Sequence, residues 1–370
     1  MVKVLNILKL FLGGVFVFSG FVKLVDPLGT AYKISDYFRI AGIEIPEFAA
    51  VILSVLLSVF EFAMGTGLIL NLKLRLFSFL SCIFMSIMTI ISLILALWRP
   101  IEDCGCFGDF IKLSNEATFG KNLILLIFSL FIFTSRNYFR PPVYPATTWI
   151  VWSITLILSL YTGIRSYRHL PLIDFRPYAV GVNIKESIDN FRHDAKALSV
   201  LKYRNKITGE IRNFTEDNYP WRDSVKWEFV DIVSLYPDGI STGNINDFAV
   251  WDTDSRNIGP DILDDDVFML VLRDIGNISS KEIEKIRQTA HYAVSNDMPF
   301  YVVTSSPIET VRKRIDSTGN EIFNIKYGNM DDTQLKTIIR SDPGLLFISK
   351  GRILRKWSKR DMPVSFDTVP

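Results

Sequence analysis

The sequence predicts a membrane α-helical bundle followed by a water-soluble α/β domain. Two contrasts carry that prediction. The first 165 of 370 residues hold 22 charged side chains while the remaining 205 hold 58, and only the first part contains apolar runs near the roughly 20 residues a bilayer crossing needs. The second part instead alternates short buried strands with amphipathic helices. Half the chain is apolar (49%) and mean hydropathy is +0.24, too oily for one soluble globule. A formal net charge of +2, with basic and acidic residues interleaved, lacks the basic stripe that nucleic acid requires and excludes that class of partner.

Five spans are read in order: Val4 to Leu24, Phe48 to Leu70, Leu74 to Trp98, Phe119 to Ser135 and Thr148 to Ile164. Ser19 and Gly20 imitate a signal-peptide cleavage site, but the run is too long and further spans follow. Between the first two spans, Asp26 to Glu47 is punctuated by Pro27, Gly29 and Pro46 and reads as a loop with an interfacial helix through Tyr32 to Ile40. Lys73, Arg75 and the segment Arg136 to Arg140 mark one face as cytoplasmic. The other face carries Lys23, Lys33, Arg39, Arg99 and Lys112, so the cytoplasmic N-terminus rests on charge density in short turns. Parity puts the loop after the third span and the chain after the fifth on one face.

In the soluble half, Leu201 to Phe214 and Lys226 to Tyr236 read as strands of a small β unit, turning at Thr208–Gly209 and Asp238–Gly239. Val267 to Arg273 is an apolar strand, and Ser279 with Glu282 forms a capping box ahead of a helix to Asn296. Pro299 to Thr304 is a second buried strand. A helix from Pro307 to Ile315, a strand near Ile322 to Tyr327 and a helix from Asp331 to Arg340 follow. Gly344 to Ser349 and Arg352 to Trp357 then pair through Lys350–Gly351.

Strand, helix, strand, helix and a proline-led hairpin resemble a thioredoxin fold. That family carries two cysteines where this chain has Arg273 to Ile278, and no cysteine occurs beyond Cys106. Asp342 and Pro343 match the place of the family's cis proline, and the surface around Asp274, Asp342 and Pro343 is the expected partner-binding site. The alternative is that Pro343 simply opens an edge strand. The phrase Ile245 to Trp251 resembles the opening strand of peroxiredoxin-like or thiol-reductase-like variants.

Chemistry is expected at Cys104 and Cys106, two of three cysteines, on the loop after the third span. A bridge across one residue is strained and labile and closes too short a loop to stabilise much, which favours redox exchange over a structural role. Gly105 between them supplies backbone freedom. Transient metal coordination with Asp103 or Asp109 is the other chemical reading, weakened by the lack of a third soft ligand; no resident metal is expected. Cys82 lies roughly 24 Å deep in its span and reads as packing.

Glu61 is the ionisable residue well inside a span. It should face the bundle interior with a partner, Lys23 being the candidate; proton relay or quinone contact is its functional reading, a hydrogen-bonded structural acid the other. His169, His193 and His291 all lie outside the spans, which excludes a bis-histidine haem in the bundle.

Ser19-Gly20-Phe21-Val22-Lys23-Leu24-Val25-Asp26-Pro27, the segment Gly29 to Phe38, Glu61 four residues before Gly65, and the Cys-Gly-Cys-Phe-Gly loop together resemble the DoxX-like superfamily of four-helix membrane proteins, and within it the MauE family of methylamine utilisation. The resemblance covers roughly residues 1 to 140. It implies a role in maturing a disulfide-rich extracytoplasmic dehydrogenase by moving redox equivalents. The wider group implies a subunit of a membrane oxidoreductase acting near quinone, with Lys23 and Glu61 as the expected contacts. Fusion to a thioredoxin-like half is similar to longer DoxX-type proteins of Bacteroidetes. A fifth span and the missing cysteine pair depart from the pattern and point to a different client.

The resulting organisation is a four-span bundle over residues 1–140, a fifth span and linker over 141–170, a β-rich segment over 171–243 and a thioredoxin-like domain over 244–370. The expected function is thiol-disulfide redox or electron transfer by Cys104 and Cys106, tuned by Glu61, for an extracytoplasmic protein client at a bacterial inner membrane. A non-catalytic scaffold whose thioredoxin-like domain binds a partner protein is the alternative.

Overall fold

Apolar runs too long for a globular core become membrane-length helices in the computed structural model, which describes residues 2–99, 101, 104–111, 113–139, 141–197, 199–214, 220, 226–234, 245–316 and 325–363. Asp103, Lys112, Arg140, Tyr236, Asp238, Gly239 and Ile322 lie outside these residues. The chain divides into two units, Met1–Phe175 and Arg176–Pro370.

The first unit consists of α1 (Val2–Val25), α2 (Pro27–Ile40), α3 (Glu47–Ile69), α4 (Leu74–Trp98), α5 (Asn115–Thr134) and α6 (Pro145–Arg168). All but α2 are long and apolar enough to cross a membrane. Their outer faces expose large apolar side chains such as Ile7, Leu56, Ile90, Ile127 and Ile157, as lipid contact demands. Inside, α1 packs mainly on α3 and α4 on α5. The contact between α1 and α3 is close enough that a Cβ on Gly65 would sit 2.6 Å from the Gly13 carbonyl oxygen, and one on Gly20 would sit 2.7 Å from that of Ser58. Asn122 ties α5 to α4 by donating to the Met88 carbonyl (3.2 Å) and to Ser92 Oγ (3.1 Å). Cys82 is buried and accepts from Ser129 Oγ at 3.2 Å, a packing position.

The helix expected at Tyr32 begins five residues earlier. Asp26 accepts from Gly29 N at 3.0 Å and Pro27 occupies the first turn, where its missing N–H costs nothing. Its first turn is buried through Pro27, Leu28, Thr30 and Ala31.

The second unit opens with α7 (Ile184–Ala197), followed by β1 (Ser199–Asn205), β2 (Ile211–Phe214) and β3 (Trp227–Ser234), an antiparallel sheet in the order β2-β1-β3. Next come α8 (Gly259–Asp264), β4 (Asp266–Leu272), α9 (Ser280–Ser295), β5 (Phe300–Thr304), α10 (Ile308–Asp316), β6 (Ile325–Asn329), α11 (Asp332–Ile338), β7 (Gly344–Ser349) and β8 (Arg352–Ser358). Their five strands order as β6-β5-β4-β7-β8, with β4, β5 and β6 parallel and β7 and β8 antiparallel. From Val267 to Leu272 in β4 and from Phe300 to Val303 in β5 the strands are buried on both faces, and Ile286, Ala290 and Ala293 of α9 pack on them.

The expected strand over Ile245 to Trp251 is absent as an element. Only Trp251 pairs, by isolated bridges to Asn257 and to Asn329 at the end of β6, because Asn257 Oδ1 accepts from Val250 N (3.1 Å) and Gly259 N (2.9 Å) and turns the chain back. The helix α7 was not expected. It starts where Asn183 Oδ1 accepts from Glu186 N at 3.3 Å and buries Ile184 and Ile188.

Candidate functional site

Glycines on α1 and α3 let the two backbones touch, and that closeness brings the ionisable side chains of both helices within reach of each other. Lys23 Nζ lies 2.6 Å from Glu61 Oε1, with the two side chains 4% and 2% exposed. Ser19, one helical turn before Lys23, donates from Oγ to Glu61 Oε2 at 2.7 Å. The same hydroxyl lies 2.7 Å from the Cys106 carbonyl oxygen, so the cysteine loop is fastened onto this pair. Tyr37 of α2 holds the other cysteine, donating to the Cys104 carbonyl at 3.1 Å.

The loop can fold this tightly because Gly105 (φ +66°) and Gly108 (φ +54°) take left-handed conformations and Gly108 N closes a turn on the Gly105 carbonyl at 3.1 Å. The two thiols end 2.7 Å apart as free cysteines, Cys104 buried and Cys106 half-buried. They are electrostatically unequal. The hydrogen bond from Cys104 pushes the Cys106 thiol down to about 6, with the Lys121 and Lys23 ammonium groups adding to the effect against burial and Glu61. The same bond, together with burial, pushes Cys104 up. Lys121 sits over the Phe107 ring, 4.5 Å from its centroid.

A cavity of about 30 Å³ lies among Ser19, Lys23, Glu61, Cys106 and Lys121. That is room for one or two waters. Among the described residues no group of three or more His, Cys, Asp or Glu side chains could hold a metal ion.

Residues 1–135 match the family model described as methylamine utilisation protein MauE. The MauE match contains every member of the cluster just described, from Ser19 to Lys121, and ends as α5 ends. Residues 199–234 match a second model, a domain of unknown function, which coincides with the sheet β2-β1-β3. No curated protein and no solved structure matches the chain.

In the second unit, Asp274, Asp342 and Pro343 also come together. The Asp342–Pro343 peptide is cis, and the Asp342 carboxylate accepts from Arg273 N (2.8 Å) and Asp274 N (3.2 Å). Asp274 in turn accepts from Gly276 N (2.8 Å) and Asn277 Nδ2 (2.7 Å). Both carboxylates therefore serve the loop between β4 and α9. Sequence reasoning missed Ser19, Tyr37 and Lys121 as members of the first site. Ser19 and Tyr37 entered only within the segments that carry the family resemblance, with no role of their own.

Proposed function

We propose that this multi-pass membrane protein, MauE-like over residues 1–135, exchanges thiols and disulfides through Cys104 and Cys106. The observation that carries the reading is the pairing of the two thiols at 2.7 Å with the Cys106 pKa brought down to about 6 beside Lys23 and Lys121. A thiolate near neutral pH is the attacking species in disulfide exchange. Cys106 S⁻ attacks one sulfur of a client disulfide and expels the other as thiolate, leaving a mixed disulfide. Cys104 gives its proton to that thiolate and attacks the Cys106 sulfur, which breaks the mixed disulfide and releases the second client sulfur as a thiolate, so two electrons reach the client and a Cys104–Cys106 disulfide remains. The reverse sequence oxidises a client dithiol.

We read the second unit as thioredoxin-like and as the part that docks an extracytoplasmic client. Support comes from its strand order, its parallel and antiparallel pairs and the proline before β7. The bundle is read as DoxX-like with one added span, in an inner membrane, serving a process akin to methylamine utilisation. A scaffold reading draws on one observation, that the β4–α9 loop carries no thiol.

Trapping with a membrane-impermeant maleimide in intact cells, before and after mild reduction, tests the proposal. Labelling of Cys106 only after reduction is the expected result. Labelling only after lysis would overturn the extracytoplasmic placement, and full function of a Cys104→Ser, Cys106→Ser variant would favour the scaffold.

A further inference from the structure

At the end of the bundle opposite the cysteine loop, the turn between α3 and α4 and the connection between α5 and α6 enclose a cavity of about 630 Å³. The turn reverses within four residues because Asn71 (φ +57°) and Lys73 (φ +33°) are left-handed. Three cations line the cavity, Lys73, Arg75 and Arg136, and no carboxylate does. Among the described residues none of the three has a carboxylate partner: Lys73 lies over the Trp149 ring at 5.8 Å and Arg136 Nη1 donates to the Phe133 carbonyl at 2.7 Å.

A fourth cation stands behind the wall. Lys9 of α1 is 3% exposed, donates to Asn71 Oδ1 and faces the Phe139 ring at 5.4 Å, and both of those residues line the cavity. Among the described residues it too has no carboxylate partner. A buried ammonium in a membrane helix without a counter-ion is costly, so an anion seated in the cavity would offset it.

We propose that this cavity binds the phosphodiester head group of an anionic phospholipid. Its volume lies in the ordinary range for ligand sites. Helices α3, α4, α5 and α6 all end or begin there, which puts it at the membrane–water boundary, where Trp149 is an interfacial anchor. Leu72, Leu76 and Pro142 give the wall an apolar side for the start of the acyl chains, which free phosphate does not need. Cations clustered at a bundle end are the recognised chemistry of lipid phosphate.

The test uses the full chain purified in a zwitterionic detergent, with palmitoyl-oleoyl phosphatidylglycerol, the matching phosphatidylcholine and inorganic phosphate as probes, read by native mass spectrometry and thermal unfolding. Phosphatidylglycerol should stay bound and raise the unfolding temperature where phosphatidylcholine does neither. Lys73→Gln and Arg136→Gln should each weaken it about fivefold, while Lys73→Arg and Arg136→Lys retain binding and report that the fold is intact. Arg168→Gln, at the opposite end of α6, should leave affinity unchanged. Equal retention of both lipids, or unchanged phosphatidylglycerol affinity in the Lys73→Gln, Arg136→Gln double variant, would overturn the proposal. So would inorganic phosphate alone displacing the lipid, which would make the site one for free phosphate.

Discussion

Lys23 of α1 and Glu61 of α3 form an ion pair at 2.6 Å inside the helical bundle, 38 residues apart in sequence. Such a pair is weak evidence of stability taken whole, because desolvation offsets most of the attraction, yet removing one partner strands the other. Glu61→Gln should therefore destabilise the bundle by about 3–5 kcal/mol. A Lys23→Met, Glu61→Leu double variant should lose clearly less. Thermal unfolding in detergent separates the two; equal losses would mean the pair is not coupled.

The unequal thiols lead to a pH profile. Alkylation of Cys106 should rise with pH and reach half its maximum near 6, where a thiol of ordinary pKa 9.0 would still be almost wholly protonated. Cys104→Ala removes the hydrogen-bond donor and Lys121→Met removes a cation, so both should move the midpoint upward and slow alkylation at pH 7, the first more than the second. A midpoint that stays near 6 in Cys104→Ala would sink the assignment of donor and acceptor.

Gly65 faces backbone rather than a flexible side chain, since an added Cβ would meet Gly13 O at 2.6 Å and Val17 N at 2.7 Å. Gly65→Ala should push α1 from α3 and cost about 1–3 kcal/mol as an overpacked contact. It should also loosen the Lys23–Glu61 pair one turn away. A melting curve and Cys106 alkylation measured on the same sample would reveal both effects; Gly14→Ala, which meets nothing within 4 Å, is the control.

Asp342 satisfies two backbone donors of the β4–α9 loop. Asp342→Ala leaves both without that acceptor and should cost about 1–3 kcal/mol. Amide exchange at Arg273 and Asp274 should accelerate more than exchange in β5. Unchanged protection there would show that the carboxylate does not hold the loop.

The fold was legible where one physical pattern dominated. Span lengths fixed the long helices, and the Ser279 capping box and Asp331 placed the starts of α9 and α11. The extended run at Ile245 misled because an Asn257 side chain, not a ladder, satisfies its neighbours. In the bundle, Glu61 and Lys23 could be paired on cost alone, since an acid in hydrocarbon needs a partner. Ser19 and Tyr37 could not, because their roles depend on where a loop 87 and 67 residues away comes to rest, and Lys121 could not, because its role depends on how that loop folds back over the start of α5. The cavity at the other end of the bundle was equally invisible: Lys73 and Arg136 signalled only the sign of a membrane face until two turns were folded against each other.

Ser19 has a single hydroxyl proton and faces two acceptors at 2.7 Å, Glu61 Oε2 and the Cys106 carbonyl. One proton cannot serve both, so the ion pair and the thiol-bearing loop compete for the same donor, and whatever draws the Ser19 hydroxyl toward Glu61 slackens the mooring of the loop to the bundle.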